Sequence, residues 1–128
     1  MNLLLDTHIL IWLIDGSEKL NKTARYAIED ENNSLYLSIA SLWEITIKTS
    51  LGKLELGIPL EQITTNFILP SGFKILPIHL SHLLVLKDLP FHHRDPFDRM
   101  LISQAISESL TLVSEDRAFG DYTVKTLW

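Results

Sequence analysis

Leu3-Leu4-Leu5-Asp6-Thr7, close to the start of the chain, decides the fold. A short apolar run over residues 2–5 that ends in an acid is typical of a buried parallel strand, because both faces of such a strand are covered. Residues 7–14 then form an apolar pattern that predicts a helix hydrophobic on nearly all sides. Asp6 is therefore expected at the carboxyl end of a central strand.

The rest of the chain repeats this alternation of short apolar strands and helices. Further strands are predicted at residues 35–37, 73–76, 111–113 and 124–127, and helices at 21–30, 41–51, 59–67, 81–86 and 95–108, with a short turn or helix at 116–120. Such alternation implies right-handed crossovers and a mostly parallel sheet of four or five strands, covered on both faces. The predicted fold class is α/β.

The composition suggests one ordinary globular domain over residues 1–128. Hydrophobic residues make up 46% of the chain and charged residues 21%, and there is no cysteine to form a disulfide or a zinc–thiolate site. The first leucine run stops at Asp6, and the apolar run at 9–14 is far shorter than the roughly 20 residues that cross a bilayer. We expect a cytoplasmic protein without a membrane span.

The net charge of −5 and the isoelectric point near 5.4 argue against nucleic-acid binding by broad electrostatic attraction. If the substrate is a nucleic acid, binding requires a local basic rim or cations that reverse the sign of an acidic pocket.

Four acids distant in sequence are expected to meet at one edge of the sheet. Asp6 follows the first strand, Asp116 follows the fourth, and Glu44 lies near the start of the helix after the second. Asp98 lies in the first turn of the helix that leads back to the fourth strand. Ligands of open parallel sheets bind beyond the carboxyl ends of the strands, so this edge is the predicted site.

Clustered carboxylates raise one another's pKa, so some must be protonated or a cation must bind. Oxygen ligands without cysteine favour Mg²⁺ or Mn²⁺ over zinc. A divalent ion of this kind activates water and stabilises the charge of a phosphate under attack, which makes phosphodiester hydrolysis the predicted chemistry.

Each acid alone also fits a helix cap. Ser41 and Glu44 fit a capping box, and Asp95 and Asp98 fit an N-cap and an acid in the first helical turn. The other two acids fit caps of the first and last helices. The metal-site hypothesis therefore depends on all four acids lying at one edge, since no single one decides it.

Four blocks of the sequence, in this order, resemble the motifs of PIN-domain ribonucleases. They are Leu4-Leu5-Asp6-Thr7-His8, Ser41-Leu42-Trp43-Glu44-Ile45, Asp95-Pro96-Phe97-Asp98-Arg99-Met100-Leu101 and Leu112-Val113-Ser114-Glu115-Asp116. Each block is weak alone, but the ordered set is specific and extends over nearly the whole chain. Leu51-Gly52-Lys53-Leu54 is similar to a VapC-like subgroup.

The resemblance implies a three-layer α/β/α fold whose acidic site binds Mg²⁺ or Mn²⁺ and cleaves RNA. It implies that Asp6, Glu44 and Asp98 are the principal catalytic and metal-binding acids, and that Asp116 is a more variable fourth. It also implies the toxin of a VapC-type toxin–antitoxin pair, a homodimer that a small antitoxin neutralises. The apolar helix at 9–14 suits such an interface, although burial in the core explains it better.

Several neighbouring residues are candidates for supporting roles. By the resemblance, Thr7 and Ser114 would be hydroxyls that support the site, and Asp95 would be an additional acid or only a helix cap. Arg94 and Arg99 flank the acids of the third block, so they are expected to bind RNA phosphates or to pair with those acids.

Three further features have ordinary structural explanations. Lys48 lies four residues after Glu44, the favoured orientation for an ion pair on a helix. His92 and His93 lack the i, i+4 spacing that puts two metal ligands on one helix face, so we interpret both as loop residues without a site role. Trp43 is expected in the core, since bulky aromatic residues dominate small cores.

Other function classes are disfavoured or remain open. His8 occupies the position where a phosphatase of the haloacid-dehalogenase class has a second aspartate, and no glycine-rich phosphate-binding loop is present. A housekeeping RNA-processing nuclease without an antitoxin remains an alternative. So does a non-catalytic PIN-like module that acts through protein contacts, although it would be expected to lack one or more of the acids.

Overall fold

The computed structural model describes all 128 residues and has a five-stranded parallel sheet at its centre. The strands are β1 (Asn2–Leu5), β2 (Ser34–Ser38), β3 (Lys74–Leu76), β4 (Thr111–Val113) and β5 (Lys125–Leu127), in the spatial order β3-β2-β1-β4-β5. Every pairing is parallel. The predicted α/β class and the fifth strand are confirmed.

Six helices connect the strands. They are α1 (Thr7–Asp15), α2 (Lys22–Glu29), α3 (Ile39–Ser50), α4 (Leu60–Ile63), α5 (Leu80–Lys87) and α6 (Pro96–Ser107). A π-helical turn, Thr64–Ile68, extends α4, and a 3-10 turn, Arg117–Asp121, precedes β5. None of these helices combines the length and the apolar character needed to cross a membrane.

Alternating residues of β1 pack into two separate cores, one on each face of the sheet. Leu3 and Leu5 belong to a cluster formed with α1, α2 and α3, whereas Leu4 belongs to a cluster formed with α6. All three leucines are fully buried. The three-layer arrangement that the resemblance implied is therefore present, and it explains why the opening run is apolar at every position.

The predicted start of α3 was wrong by two residues, and the error matters for the site. Ser38 is the N-cap, accepting a hydrogen bond from the Ala40 amide at 3.0 Å. Ser41 therefore lies inside the helix, where its hydroxyl accepts a hydrogen bond from Thr7 Oγ1 at 2.9 Å. The capping box between Ser41 and Glu44 does not exist, so capping does not explain Glu44.

The apolar helix α1 is only partly a core helix. Ile9 and Leu10 are fully buried, as predicted, but the four residues that follow are half-buried. Its last turn ends at Gly16, whose φ of 64° is the left-handed conformation that favours glycine.

Candidate metal centre

The carboxyl ends of β1 and β4 meet beside an acidic cleft of about 430 Å³. The main-chain amide of Asp6 donates to the carbonyl of Val113 at 3.0 Å, which fixes the two strand ends side by side. The cleft is lined by six residues, none of them hydrophobic: Asp6, His8, Asp98, Glu115, Asp116 and Arg117. We call the cleft lined by these six residues the acidic cleft.

Asp6 is buried at the floor of the acidic cleft and has one unpaired oxygen. It occupies the N-cap position of α1, yet its side chain makes no capping hydrogen bond. Its Oδ2 accepts a hydrogen bond from Ser114 Oγ at 2.8 Å, but Oδ1 is buried without any partner. Burial raises the pKa of Asp6 above its ordinary value, and the nearby charge of Glu44 raises it further.

Asp98 faces the cleft from the first turn of α6 and makes no hydrogen bond or ion pair through its side chain. Burial raises the pKa of Asp98 to about 7, and the charges of Asp95, Asp6 and Glu44 add to this effect. Surroundings that destabilise the anionic form of a carboxyl group are typical of a site that binds a cation.

Asp116 is a helix cap and also a member of the site. Its Oδ1 accepts a hydrogen bond from the Ala118 amide at 3.0 Å, and its Oδ2 lies 2.8 Å from His93 Nε2. Candidate ligand atoms of His93, Asp98 and Asp116 all lie within 4.8 Å of one another. Asp116 therefore caps the 3-10 turn and also lies beside two other candidate ligands.

Glu44 is buried beside the cleft but does not line it. Its Oε2 accepts from Lys48 Nζ at 2.7 Å, which confirms the predicted ion pair, and this bond raises the pKa of Lys48. The charge of Glu44 also raises the pKa of both Asp6 and Asp98, so the three carboxylates are close enough to interact. An unpaired buried oxygen among several carboxylates fits a divalent cation, which prefers oxygen ligands.

A model of the PIN domain family matches residues 3–125. The chain belongs to the PIN domain family. This is a family of nucleases, which agrees with a site built from carboxylates. Comparison with curated proteins finds no sequence match.

Solved structures share the fold of this PIN domain. VapBC2 of Rickettsia felis, bound to a DNA fragment from its promoter, is 19% identical over 100% of both chains with a TM-score of 0.70. FitAcB of Neisseria gonorrhoeae is 20% identical, covering 97% of this chain and 95% of its own, with a TM-score of 0.66. VapBC-1 of nontypeable Haemophilus influenzae is 19% identical, covering 98% and 96%, with a TM-score of 0.63. At these identities the likeness shows the fold.

The three residues predicted to support the site of this PIN domain, Thr7, Asp95 and Ser114, make different contacts. Ser114 joins two acids, since its hydroxyl donates to Asp6 and accepts from the Asp116 amide at 3.1 Å. The Thr7 hydroxyl ties α1 to α3 through its hydrogen bond to Ser41. Asp95 is exposed and caps α6, accepting from the amides at positions 97 and 98 at 2.8 and 3.2 Å.

The expected phosphate-binding role of Arg99 is wrong. Arg99 is 7% exposed, and its guanidinium donates to the carbonyls of Pro90 at 2.8 Å and Leu89 at 3.2 Å. It pairs with neither Asp95 nor Asp98 and is instead an internal support of the loop before α6. Arg94 is exposed and free of ion pairs. Arg117 is the arginine that lines the acidic cleft.

Two aromatic residues were also misjudged from the sequence. Trp43 is not in the core: it is 57% exposed and meets Phe97 edge to face at 5.1 Å. His93 is not an ordinary loop residue, because only 9% of its side chain is exposed and it contacts Asp116. Its partner lies 23 residues further along the chain, so no local spacing signals this contact.

Proposed function

We propose that this PIN domain is an endoribonuclease that depends on Mg²⁺ or Mn²⁺. The main support is the buried Oδ1 of Asp6, which has no partner within the protein, together with the raised pKa values of Asp6 and Asp98. Leaving such an atom unpaired costs free energy, and a cation removes the cost. A donor set made mostly of oxygen favours Mg²⁺ and Mn²⁺.

The side chains would divide the work as follows. Asp6, Asp98 and Asp116, which line the acidic cleft, would hold the cation, and Glu44 would add negative charge near it. When bound, the cation would stabilise the charge on the phosphate and lower the pKa of the attacking water. Arg117 would bind a phosphate of the substrate at the mouth of the cleft.

The substrate we propose is single-stranded RNA. The cleft is open and is lined by one arginine among several acids, which suits local binding through a cation better than wide attraction to a duplex. The preference for RNA over DNA follows from the resemblance of the four sequence blocks to PIN-domain ribonucleases. Cleavage of cellular RNA would place the enzyme in the cytoplasm.

We further propose that the chain is the toxin of a toxin–antitoxin pair and acts as a homodimer. The VapC-like blocks and the fold shared with VapBC2 and FitAcB support the first statement. Exposed apolar side chains support both, because a monomer gains nothing by exposing them. Five of them lie on two helices, Leu80, Leu83 and Leu84 on α5 and Ile39 and Trp43 on α3.

Cleavage of matched oligonucleotides tests the enzymatic proposal. RNA and DNA strands of one sequence, labelled at the 5′ end, are incubated with purified protein in Mg²⁺, in Mn²⁺ and in EDTA. We expect internal cuts in RNA only, and none in EDTA. Undiminished cleavage in EDTA would exclude the metal mechanism, and cleavage of DNA alone would exclude a ribonuclease.

Induced expression separates a toxin from a housekeeping enzyme. We expect growth arrest that co-expression of the adjacent small reading frame relieves. Normal growth of cells that contain active enzyme would favour the housekeeping alternative.

A further inference from the structure

We propose that His93 is a positioning residue for the metal centre, held in one tautomer by Tyr122 so that its Nε2–H fixes the carboxylate of Asp116. This inference rests on the proposed metal-dependent function. It gives a role to a residue outside the four acids, and it starts from three contacts around one imidazole ring.

The three contacts place one hydroxyl and one carboxylate on opposite nitrogens of His93. The main-chain amide of His93 donates to Tyr122 Oη at 2.9 Å, and His93 Nδ1 lies 3.1 Å from the same oxygen. On the other side of the ring, Nε2 lies 2.8 Å from Asp116 Oδ2. Tyr122 is 6% exposed, so its hydroxyl has little access to water.

These contacts favour one placement of the protons. The amide of His93 is only a donor, so Tyr122 Oη accepts there and directs its own proton to another acceptor. We assign that proton to Nδ1 of His93, 3.1 Å away, so that Nδ1 is the accepting nitrogen of the ring. Because the carboxylate of Asp116 only accepts hydrogen bonds, Nε2 is the nitrogen that carries a proton, and this proton points at Asp116.

The surroundings of His93 hold the ring in this orientation. The ring lies 4.7 Å from that of Phe119, which is fully buried. The loop before His93 is fixed by buried Arg99, which binds two of the loop carbonyls and stacks on Phe91 at 3.9 Å. The buried Phe119 ring and the anchored loop therefore leave the imidazole little freedom to rotate away from Asp116.

The fixed orientation of His93 restricts the side chain of Asp116. Its side chain is 41% exposed, so an unsupported carboxylate at this position could rotate into solvent. Hydrogen bonds from the Ala118 amide to Oδ1 and from His93 to Oδ2 hold it in one rotamer, facing Asp98. Partners of this kind orient metal-binding carboxylates and are usually worth 10- to 100-fold in metal affinity.

The test compares Mn²⁺ affinity, measured by calorimetry without substrate, among folded variants. We expect His93→Leu to weaken binding about 10- to 100-fold. His93→Gln, whose amide nitrogen can donate from a position close to that of Nε2, should restore most of this loss, and Tyr122→Phe should fall between the two. His92→Leu is the matched control, because His92 packs against Tyr122 without bonding to Asp116 and should leave the affinity unchanged. Wild-type affinity in His93→Leu would overturn the proposal.

Two spectroscopic readouts separate this inference from the proposed function. In the protein without metal, ¹H–¹⁵N correlation spectra should show the proton of His93 on Nε2 in wild type, and on both nitrogens in exchange in Tyr122→Phe. A proton on Nδ1 in wild type would overturn the proposal, whatever the protein cleaves. Electron-spin-echo spectra of bound Mn²⁺ should show no directly coordinated nitrogen, and such a nitrogen would make His93 a ligand instead. Failure of wild type to bind Mn²⁺ at all would contradict the proposed function itself.

Discussion

Two polar regions of this PIN domain differ in whether their buried polar atoms have partners. The first, which we call the His82 network, consists of Ser38, His82, Gln104 and Glu108. Gln104 accepts from the Ser38 hydroxyl and donates to the Pro77 carbonyl at 3.2 Å. His82 is fully buried, accepts from the amide of residue 79 at 3.0 Å and contacts Glu108 at 2.9 Å. Each buried polar side chain in this network has a protein partner.

In the acidic cleft, by contrast, not every buried polar atom has a protein partner. Asp6 Oδ1 has no partner, and Asp98 has a pKa near 7 because its surroundings disfavour the anion. A fully paired network stabilises a fold, whereas a partly paired one costs free energy and persists where function requires it. The difference supports the proposal that the acidic cleft binds a cation, whereas the His82 network stabilises the scaffold.

The largest expected effect is the loss of RNA cleavage when the charge of Asp98 is removed. Asp98→Asn keeps the volume and removes the charge, so RNA cleavage should fall by about 100-fold or more, as when one electrostatic contact to a transition state is lost. Single-turnover cleavage measures this. Asp88→Asn, an exposed acid outside the cleft, is the control. Equal rates in Asp98→Asn and wild type would remove Asp98 from the site.

Removing a hydrogen bond from the His82 network should lower the stability of the protein without changing RNA cleavage. Gln104→Leu deprives the buried Ser38 hydroxyl of its acceptor, which should lower the free energy of unfolding by about 1–3 kcal/mol. Urea denaturation measures the loss, with exposed Gln62→Leu as the control. Cleavage per folded molecule should not change. A loss of cleavage without a loss of stability would place the network in the site.

The affinity for Mg²⁺ or Mn²⁺ should depend on pH around neutrality. Because the pKa of Asp98 is about 7, a cation must displace a proton from this carboxyl below that pH. The apparent affinity should therefore rise about tenfold per unit up to pH 7 and then level off. Calorimetric titrations from pH 5.5 to 8.5 measure this, and the Asp88→Asn variant should give the same curve. A flat profile would contradict the assignment.

The smallest expected effect is a gain in stability: the same substitution that removes cleavage, Asp98→Asn, should stabilise the metal-free protein. In EDTA, folded wild type keeps a proton on Asp98 that the unfolded chain has already released above about pH 4, so stability falls as pH rises from about 4 to 7. Asp98→Asn removes this penalty. It should stabilise the metal-free protein by about 1 kcal/mol at pH 8, since solvent screens the half-buried group, and by nothing near pH 4. Destabilisation at pH 8 would show that the Asp98 carboxylate supports the fold.

Local patterns in the sequence predicted the elements of the fold better than the contacts between them. The apolar run at β1 and the Asp95-Pro96 start of α6 depend on burial and capping within a few residues, so the structure matches them. The start of α3 was misplaced because Ser38 and Ser41 are both plausible caps, and the choice depends on where β2 ends.

The site was predictable as far as strand ends could be located. Asp6 and Asp98 face one cleft because parallel strands end at one edge, a rule that needs no coordinates. Arg99 and His93 were misjudged because their partners are loop carbonyls and a residue 23 positions away. Neither contact leaves a periodic trace in the sequence.

Binding of Mn²⁺ to the protein without substrate tests the central claim most directly. Calorimetric titration at pH 8 should show saturable binding in wild type and a loss of affinity of at least about 10-fold in both Asp6→Asn and Asp98→Asn, because each removes charge from the incomplete cluster. Absence of saturable binding in wild type, or wild-type affinity in both variants, would contradict the claim that the acidic cleft is completed by a divalent cation.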